Sequence, residues 1–433
     1  MRNDIGRGRL AVSARLFCAL GLGAVLAPSQ AQEPAPVDET EVLFQQGMEA
    51  LEADRLRSAM KAFQSILSLQ PGLHRARLEL ALAYYRALDY AEARAAAQEV
   101  LDDPQTPPEV RVTVLAFLAQ VNRDAADFAV RHEFKPSISL GLMYDSNVNV
   151  GPSTDIIEEL PGATLVPGSL EQSDTAVVLN AGISHRFQPG KTYPAGEHTA
   201  GFLWQSHANL YNRAYTSEDE FDLTVLTAST GPAWVVLRHW RTSMMLNVDR
   251  IWLGDDELAW FTSLNPAVTW QFNNGELTWD ATVTDRRYDE TGDAGREGTY
   301  KATGLSLGHY FNQRRVAAQF GARLIDFSAQ DDQYGHDGYE LLAGLVVKTW
   351  PGGSVYGRAN YRDVQYDGDA AGFPVARDEQ ERRIAAGFQH DFRAGQLDRW
   401  VLSGGIQYTD NDSNISIYDY DRRQVMLNLG RTF

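Results

Sequence analysis

From Pro136 to Phe433 the chain alternates apolar and polar residues, and no other feature constrains its fold as tightly. Leu264, Pro266, Val268, Trp270 and Phe272 share one parity, an Asn-Asn-Gly-Glu turn follows, and Leu277, Trp279, Ala281 and Val283 resume the apolar series. Between them stand Asn265, Thr269, Gln271, Thr278, Asp280, Thr282 and Thr284. Successive side chains of a strand point to opposite faces, so such a stretch has one oily face and one wet face. In a soluble sandwich the oily face would meet a core. Here the pattern recurs about fourteen times and runs to the last residue, through Val425, Leu427, Leu429, Arg431 and Phe433. About fourteen antiparallel strands, apolar outside and polar inside, describe an all-β transmembrane barrel.

The expected strands are 136–149, 173–187, 198–212, 219–237, 242–253, 260–272, 277–289, 298–311, 316–328, 338–350, 354–365, 379–392, 399–409 and 418–433. Their connections alternate in character. Arg238–Arg241, Asn273–Glu276, Asn312–Arg315 and Pro351–Gly353 are tight, with Gln188–Glu197 and Arg393–Asp398 somewhat longer. Interleaved with them are acidic connections expected to be long: 150–172, Asp255–Glu257, Asp289–Glu297, Asp331–Asp337 and Gln365–Asp378. Outer-membrane barrels have short periplasmic turns and longer outside loops. An even strand count puts both barrel ends on one side, so a periplasmic N-terminal domain requires a periplasmic Phe433. The loop parity agrees. All nine Trp fall between Trp204 and Trp400, a bias that an interfacial aromatic girdle or an aromatic-rich sandwich would produce.

No segment after residue 30 holds the roughly 20 continuous apolar residues of a spanning helix. Barrel strands give a weaker hydropathy signal, so this does not argue against a membrane. Arg2, Arg7, Arg9 and Arg15, an apolar run from Leu16 to Leu26, and Ser29-Gln30-Ala31 read as a secretory signal peptide over 1–31. The single cysteine, Cys18, lies inside it, so disulfide and thiol chemistry are not expected of the mature protein. A Pro-rich linker spans 32–37.

Between 38 and 131 the period becomes helical. Gly47, Ala59 and Phe63 are answered 34 residues on by Ala81, Ala93 and Ala97, and Pro71 closes the first unit. Small residues at those offsets let two helices approach, and a large one fills the seam. This resembles the tetratricopeptide repeat, with helices expected near 40–54, 56–69, 73–87, 90–102 and 108–121. A plain helical spacer remains the alternative. Two and a half or three repeats form a small concave scaffold that ordinarily holds a peptide or partner protein.

The net charge of −18 argues against nucleic acid as a partner. The nine His show no metal-ligand spacing and His-Glu-x-x-His is missing, so neither an enzyme, a cofactor nor a metal is expected. Two features stand out as candidates. Tyr144, Asp145, Asn147 and Asn149 mark the outer end of the first strand, either as a structured strand end or as a polar contact in the barrel mouth. Alternation puts Arg323, Lys348, Arg358, Arg362 and Arg383 on the lumen face beside Glu340 and Glu381. They read either as charge pairs propping the interior or as a track for an acidic ligand or polypeptide.

An exported tetratricopeptide-like module, a strand opening Ser-Leu-Gly-Leu-Met-Tyr-Asp-Ser-Asn-Val-Asn at 139–149, about fourteen strands and a terminal Phe together resemble the surface lipoprotein assembly modulator (Slam) family. Gly-Pro-Ala-Trp at 231–234 and Asp-Arg-Ile-Trp-Leu-Gly at 249–254 are similar in style. The resemblance implies a non-enzymatic device in the Gram-negative outer membrane that moves a client, a lipoprotein or another secreted protein, to the cell surface. It further implies that Phe433 is read by the barrel assembly machinery during insertion into outer-membrane lipid. The helical part is shorter than that family's usual repeat domain, which leaves the client class open. Two other readings stand beside it: a porin for acidic solutes, and a polysaccharide-export barrel with a periplasmic recruitment domain.

Overall fold

The structure, a computed structural model, describes residues 38–433; the expected signal peptide and linker lie outside the described residues. Five helices come first: α1 (Glu39–Glu52), α2 (Leu56–Leu69), α3 (His74–Arg86), α4 (Tyr90–Asp102) and α5 (Pro108–Ala129). They pack as antiparallel neighbours, and α2 and α4 begin 34 residues apart. Gly47 lets α1 lie directly on α2, since a Cβ there would sit 2.7 Å from Phe63 Cε1. Phe44, Phe63 and Ile66 fill that seam, and Ala97, Val100, Val114 and Leu118 fill the next. Each large apolar side chain buried this way contributes about 1.5–3 kcal/mol. No helix among the described residues is long and apolar enough to cross a membrane.

Fifteen strands follow: β1 (His132–Asp145), β2 (Asp174–Phe187), β3 (Thr192–Ala195), β4 (His198–Tyr215), β5 (Leu223–Val236), β6 (Trp240–Leu253), β7 (Asp256–Phe272), β8 (Gly275–Tyr288), β9 (Gly298–Phe311), β10 (Val316–Ala329), β11 (His336–Trp350), β12 (Gly353–Asp369), β13 (Ala376–Asp391), β14 (Trp400–Ser413) and β15 (Tyr420–Thr432). Fourteen of them form one closed antiparallel barrel, because β1 pairs with β15 and β2 pairs with β4. Closure leaves the barrel strands no free edge. The remaining strand, β3, is a short flap on β4 inside the connection expected at Gln188–Glu197.

Every expected strand is present, with shifted ends. The first begins at His132 rather than 136, because the β1–β2 ladder continues to His132↔Phe187. It stops at Asp145 rather than 149, where side chains take over the backbone bonding. The β6–β7 connection, expected to be long, is a tight turn at Gly254 and Asp255, since β7 starts at Asp256. Gly254 adopts φ +59 there, a conformation that favours glycine.

Alternation is realised as an apolar exterior. Leu140, Leu142, Phe320, Leu324, Ile384, Ile406 and Leu427 are exposed, while Met143, Ile325 and Phe327, of opposite parity, are buried inside. Trp234, Trp270 and Trp350 stand outward where their strands approach the helical domain, and Trp252 and Trp260 near the opposite ends. Two aromatic bands around an apolar waist are what a barrel in a bilayer needs. The chain's last residue closes the ring beside the helices, with Phe433 N–H donating to Pro136 O at 2.9 Å.

Candidate functional site

The far end of β1 is a knot of buried polar groups. Parity sends Tyr144 outward, 47% exposed, and Asp145 inward, fully buried. The Asp145 carboxylate accepts both forks of Arg422 from β15, with Nε at 2.8 Å. It also accepts from Tyr215 Oη at 2.9 Å, Gln424 Nε2 at 2.8 Å and the Asn147 backbone N–H at 3.2 Å. A buried charge is tolerable only when paired and hydrogen-bonded this fully. Asn147, also fully buried, donates to Gly151 O (2.8 Å) and Asp421 O (3.0 Å) and accepts from Gly151 N–H (2.9 Å). Asn149 donates to Leu170 O (2.6 Å) and accepts from Gln172 N–H (3.0 Å).

These bonds fold the long first loop, 146–173, over the mouth. Farther along it, the Glu159 carboxylate accepts from Ser416 N–H and Oγ–H, both 2.8 Å, in the β14–β15 connection. Desolvation pushes that carboxyl up, but the Ser416 hydrogen bonds win and hold it below the usual range. Ile157 joins Ala370, Phe373, Ile415 and Tyr418 in a small apolar cluster, so three loops share one lid.

Asp145, Asn147 and Asn149 thus meet in one place, at the top of the seam where the barrel closes, and Tyr144 faces outward beside them. The seam is shorter than its neighbour: β1 pairs with β15 only over Ser137–Asp145, against His132–Asp145 with β2. Inside it lies a cavity of about 130 Å³ lined by Met143, Tyr356, Gly404, Gly405, Gln424 and Met426. Tyr356 lies across two glycines, and a Cβ on Gly387 or Gly405 would come within 2.6 Å of its Oη.

The five lumen cations divide into two groups. Arg323 reaches over Gly304 of β9 to Asp280 of β8 at 2.5 Å. Arg362 lies 3.9 Å from Glu340 and donates to His336 Nε2 at 3.2 Å, and Arg383 donates to Glu381 at 2.6 Å. Lys348 and Arg358 have no ion pair among the described residues. Both lie toward the helical-domain end, where Arg358 lines a cavity of about 210 Å³ with Glu276, Thr278, His309 and Gln319. The interior is therefore cross-braced toward the lid and carries uncommitted positive charge toward the helices.

Other functional-looking residues escaped the sequence reading. Arg286 is stacked among Phe261, Tyr300 and Phe327 at 4.5–5.4 Å, and Arg377 between Tyr366 and Tyr418 at 3.8 and 4.3 Å. Their aromatic partners come from β7, β9, β10 and β12 and, for Tyr418, from the β14–β15 connection. One group of side chains, Asp54, His198 and His239, has metal-ligating composition. Linear spacing hides it, because the fold alone brings these residues together.

A family model described as surface lipoprotein assembly modifier matches residues 134–433, which is the whole barrel apart from its first two residues. The chain belongs to this family. The match stops short of α1–α5, so membership rests on the barrel. No curated protein matches the chain. Among solved structures, Pseudomonas aeruginosa OpdQ is similar at 13% identity and TM-score 0.34, over 70% of this chain and 99% of that one. P. aeruginosa OccK1 (OpdK) is similar at 9% identity and TM-score 0.35, over 70% and 98%. OccK8 (OprE) of the same organism gives 11% identity and TM-score 0.35, over 70% and 98%. Family and barrel point to surface lipoprotein assembly in the outer membrane, a non-enzymatic role.

Proposed function

We propose that this family member delivers a client lipoprotein to the cell surface, with residues 38–131 in the periplasm engaging the client and the barrel, 136–433, offering its route or folding template. The observation that carries the reading is the family match across 134–433. Three features support it. The helical domain and Phe433 share one end of the barrel, as a periplasmic recruitment domain requires. Lys348 and Arg358, which have no ion pair among the described residues, place positive charge at that same end, where an acidic segment held by the helices would first meet the barrel. At the other end the lid is stapled by Asn147, Asn149 and Glu159, an arrangement that weighs against an open porin.

A fourteen-stranded interior braced by side chains has little room for a folded protein, so the client crosses unfolded or folds against the barrel wall. Phe433, exposed at the end of β15, serves as the signal for the barrel assembly machinery. The test is a pull-down from gently solubilised outer membranes, read by mass spectrometry. One exported lipoprotein should be recovered and be lost when 38–131 is deleted. Recovery of assembly factors alone, in every growth condition, contradicts the reading.

A further inference from the structure

The helical domain and the barrel meet through few groups, and three of them are metal-ligating side chains from three separate elements. Asp54 occupies the α1–α2 turn at φ +55, His198 is the first residue of β4, and His239 sits in the β5–β6 turn. One ligand atom from each lies within 4.8 Å of the other two. His239 Nε2 is 2.8 Å from Asp54 Oδ2, and the two imidazole rings lie 3.8 Å apart between centroids, tilted by 31°. His198 Nδ1 is buried and has no hydrogen-bond partner.

A hydrogen bond between Asp54 and His239 explains only part of this arrangement. It leaves the second imidazole pressed against the first with an unsatisfied buried nitrogen, which native interiors avoid. A cation held by all three side chains removes the conflict.

We propose that Asp54, His198 and His239 bind a divalent transition metal, Zn²⁺ by the chemistry of the donors, that clamps the helical domain to the barrel. Two imidazoles and one carboxylate suit Zn²⁺, whose bonds to nitrogen and oxygen run about 2.0–2.2 Å, and modest side-chain rotation draws the three donors onto one such centre. Arg86 lies 3.9 Å from Asp54 Oδ1, on the carboxylate oxygen that His239 does not use, and orients the group from behind. Its positive charge also tempers the affinity, as does Arg238 beside His239 in the chain. Asp54 and His239 side chains are 21% and 32% exposed, so an ion reaches them from solvent and a water completes its shell. Binding joins the first helical hairpin to two barrel connections at once, which makes the angle between the domains depend on available zinc.

The experiment uses the full protein in detergent, without a polyhistidine tag. Zn²⁺ is titrated by calorimetry and Co²⁺ by its visible absorption. One equivalent should bind, Co²⁺ should show the intense bands of a low-coordinate site, and Zn²⁺ should slow tryptic cleavage at Arg131 between the domains. His198→Gln and His239→Gln should each weaken binding by at least about tenfold and abolish the protection, while heat-modifiable migration shows the barrel still folded. His207→Gln, a barrel histidine of β4 outside the cluster, should leave Zn²⁺ binding and the protection unchanged. Absence of stoichiometric binding, or binding that survives both His198→Gln and His239→Gln, overturns the proposal.

Discussion

The carboxylate of Asp145 on the first barrel strand receives both forks of Arg422 on the last, 277 residues away. Barrel closure is thereby fixed at the lid end by a buried ion pair, while Phe433 and Pro136 fix it at the other end by a backbone bond. Removing one member of such a pair leaves the other charged and unpaired in the interior, at a cost of about 3–5 kcal/mol. Arg422→Met should lower the urea midpoint of the barrel accordingly. Asp145→Asn in the same chain should restore part of the loss, because the orphaned charge is gone. Equal midpoints for Arg422→Met and the unchanged protein would show that the pair does not hold the seam.

Tyr356 makes a sharper test of packing at the same seam. Gly405→Ala puts a Cβ 2.6 Å from Tyr356 Oη, with the nearest backbone oxygen at 3.1 Å. Overpacking of this kind costs about 1–3 kcal/mol, and Tyr356→Phe should relieve it by removing the clashing atom. At Gly387 the new Cβ would also meet Gly404 O at 2.4 Å, so Tyr356→Phe should not rescue Gly387→Ala. Folding yields in detergent distinguish the two cases.

Glu197, in the connection before β4, caps a helix in the other domain. Its side chain accepts from Ser58 N–H (3.1 Å) and Ser58 Oγ–H (2.9 Å), and its carbonyl accepts from Arg57 N–H (3.3 Å), at the start of α2, whose own N-cap Arg55 supplies no side-chain bond. These bonds, the Ser58 hydroxyl first, hold the Glu197 carboxyl below its ordinary value of 4.5. A depressed value means the contact contributes fully above pH 4.5 and is lost as pH falls through the lowered value. A spin-label distance between the helices and the barrel should stay constant from neutral pH down to about that value and then broaden. In Glu197→Gln the broadening should no longer depend on pH in that window.

Lys348 and Arg358 are the lumen cations without ion pairs among the described residues, so reversing their charge removes attraction without orphaning a carboxylate. Lys348→Glu/Arg358→Glu should leave heat-modifiable migration intact and reduce client display severalfold. Arg323→Gln, which strips Asp280 of its partner, should lower barrel stability instead. Whole-cell immunolabelling and unfolding curves separate these effects.

The barrel was legible because period-2 alternation survives in nearly every strand, and strand number follows from counting it. The helical segment was legible for the same reason at another period: Gly47, Ala59, Phe63, Ala81, Ala93 and Ala97 are all buried, as their offsets imply. Strand ends were less legible. The sequence at 144–149 continues to alternate, yet β1 ends at Asp145 because Asx side chains bind local backbone instead of a ladder. Gly254-Asp255 looked like part of an acidic loop and is a two-residue turn.

Partners across the barrel were not legible. Parity placed Arg323 in the lumen but could not choose Asp280 over its cross-strand neighbour Glu340, because that choice depends on the stagger of three strands. His198 and His239 are 41 residues apart and meet only because their strand ends emerge on the same side of the barrel beneath Asp54.

The central claim, delivery of a lipoprotein to the surface, is tested most directly by protease shaving of intact cells with and without this protein, followed by mass spectrometry of the released peptides. The account predicts that at least one lipoprotein is shaved from wild-type cells, is protected inside the deletion strain at unchanged total abundance, and is shaved again on complementation with the full chain. An identical set of shaved lipoproteins in both strains, in rich medium and under nutrient limitation alike, would contradict it.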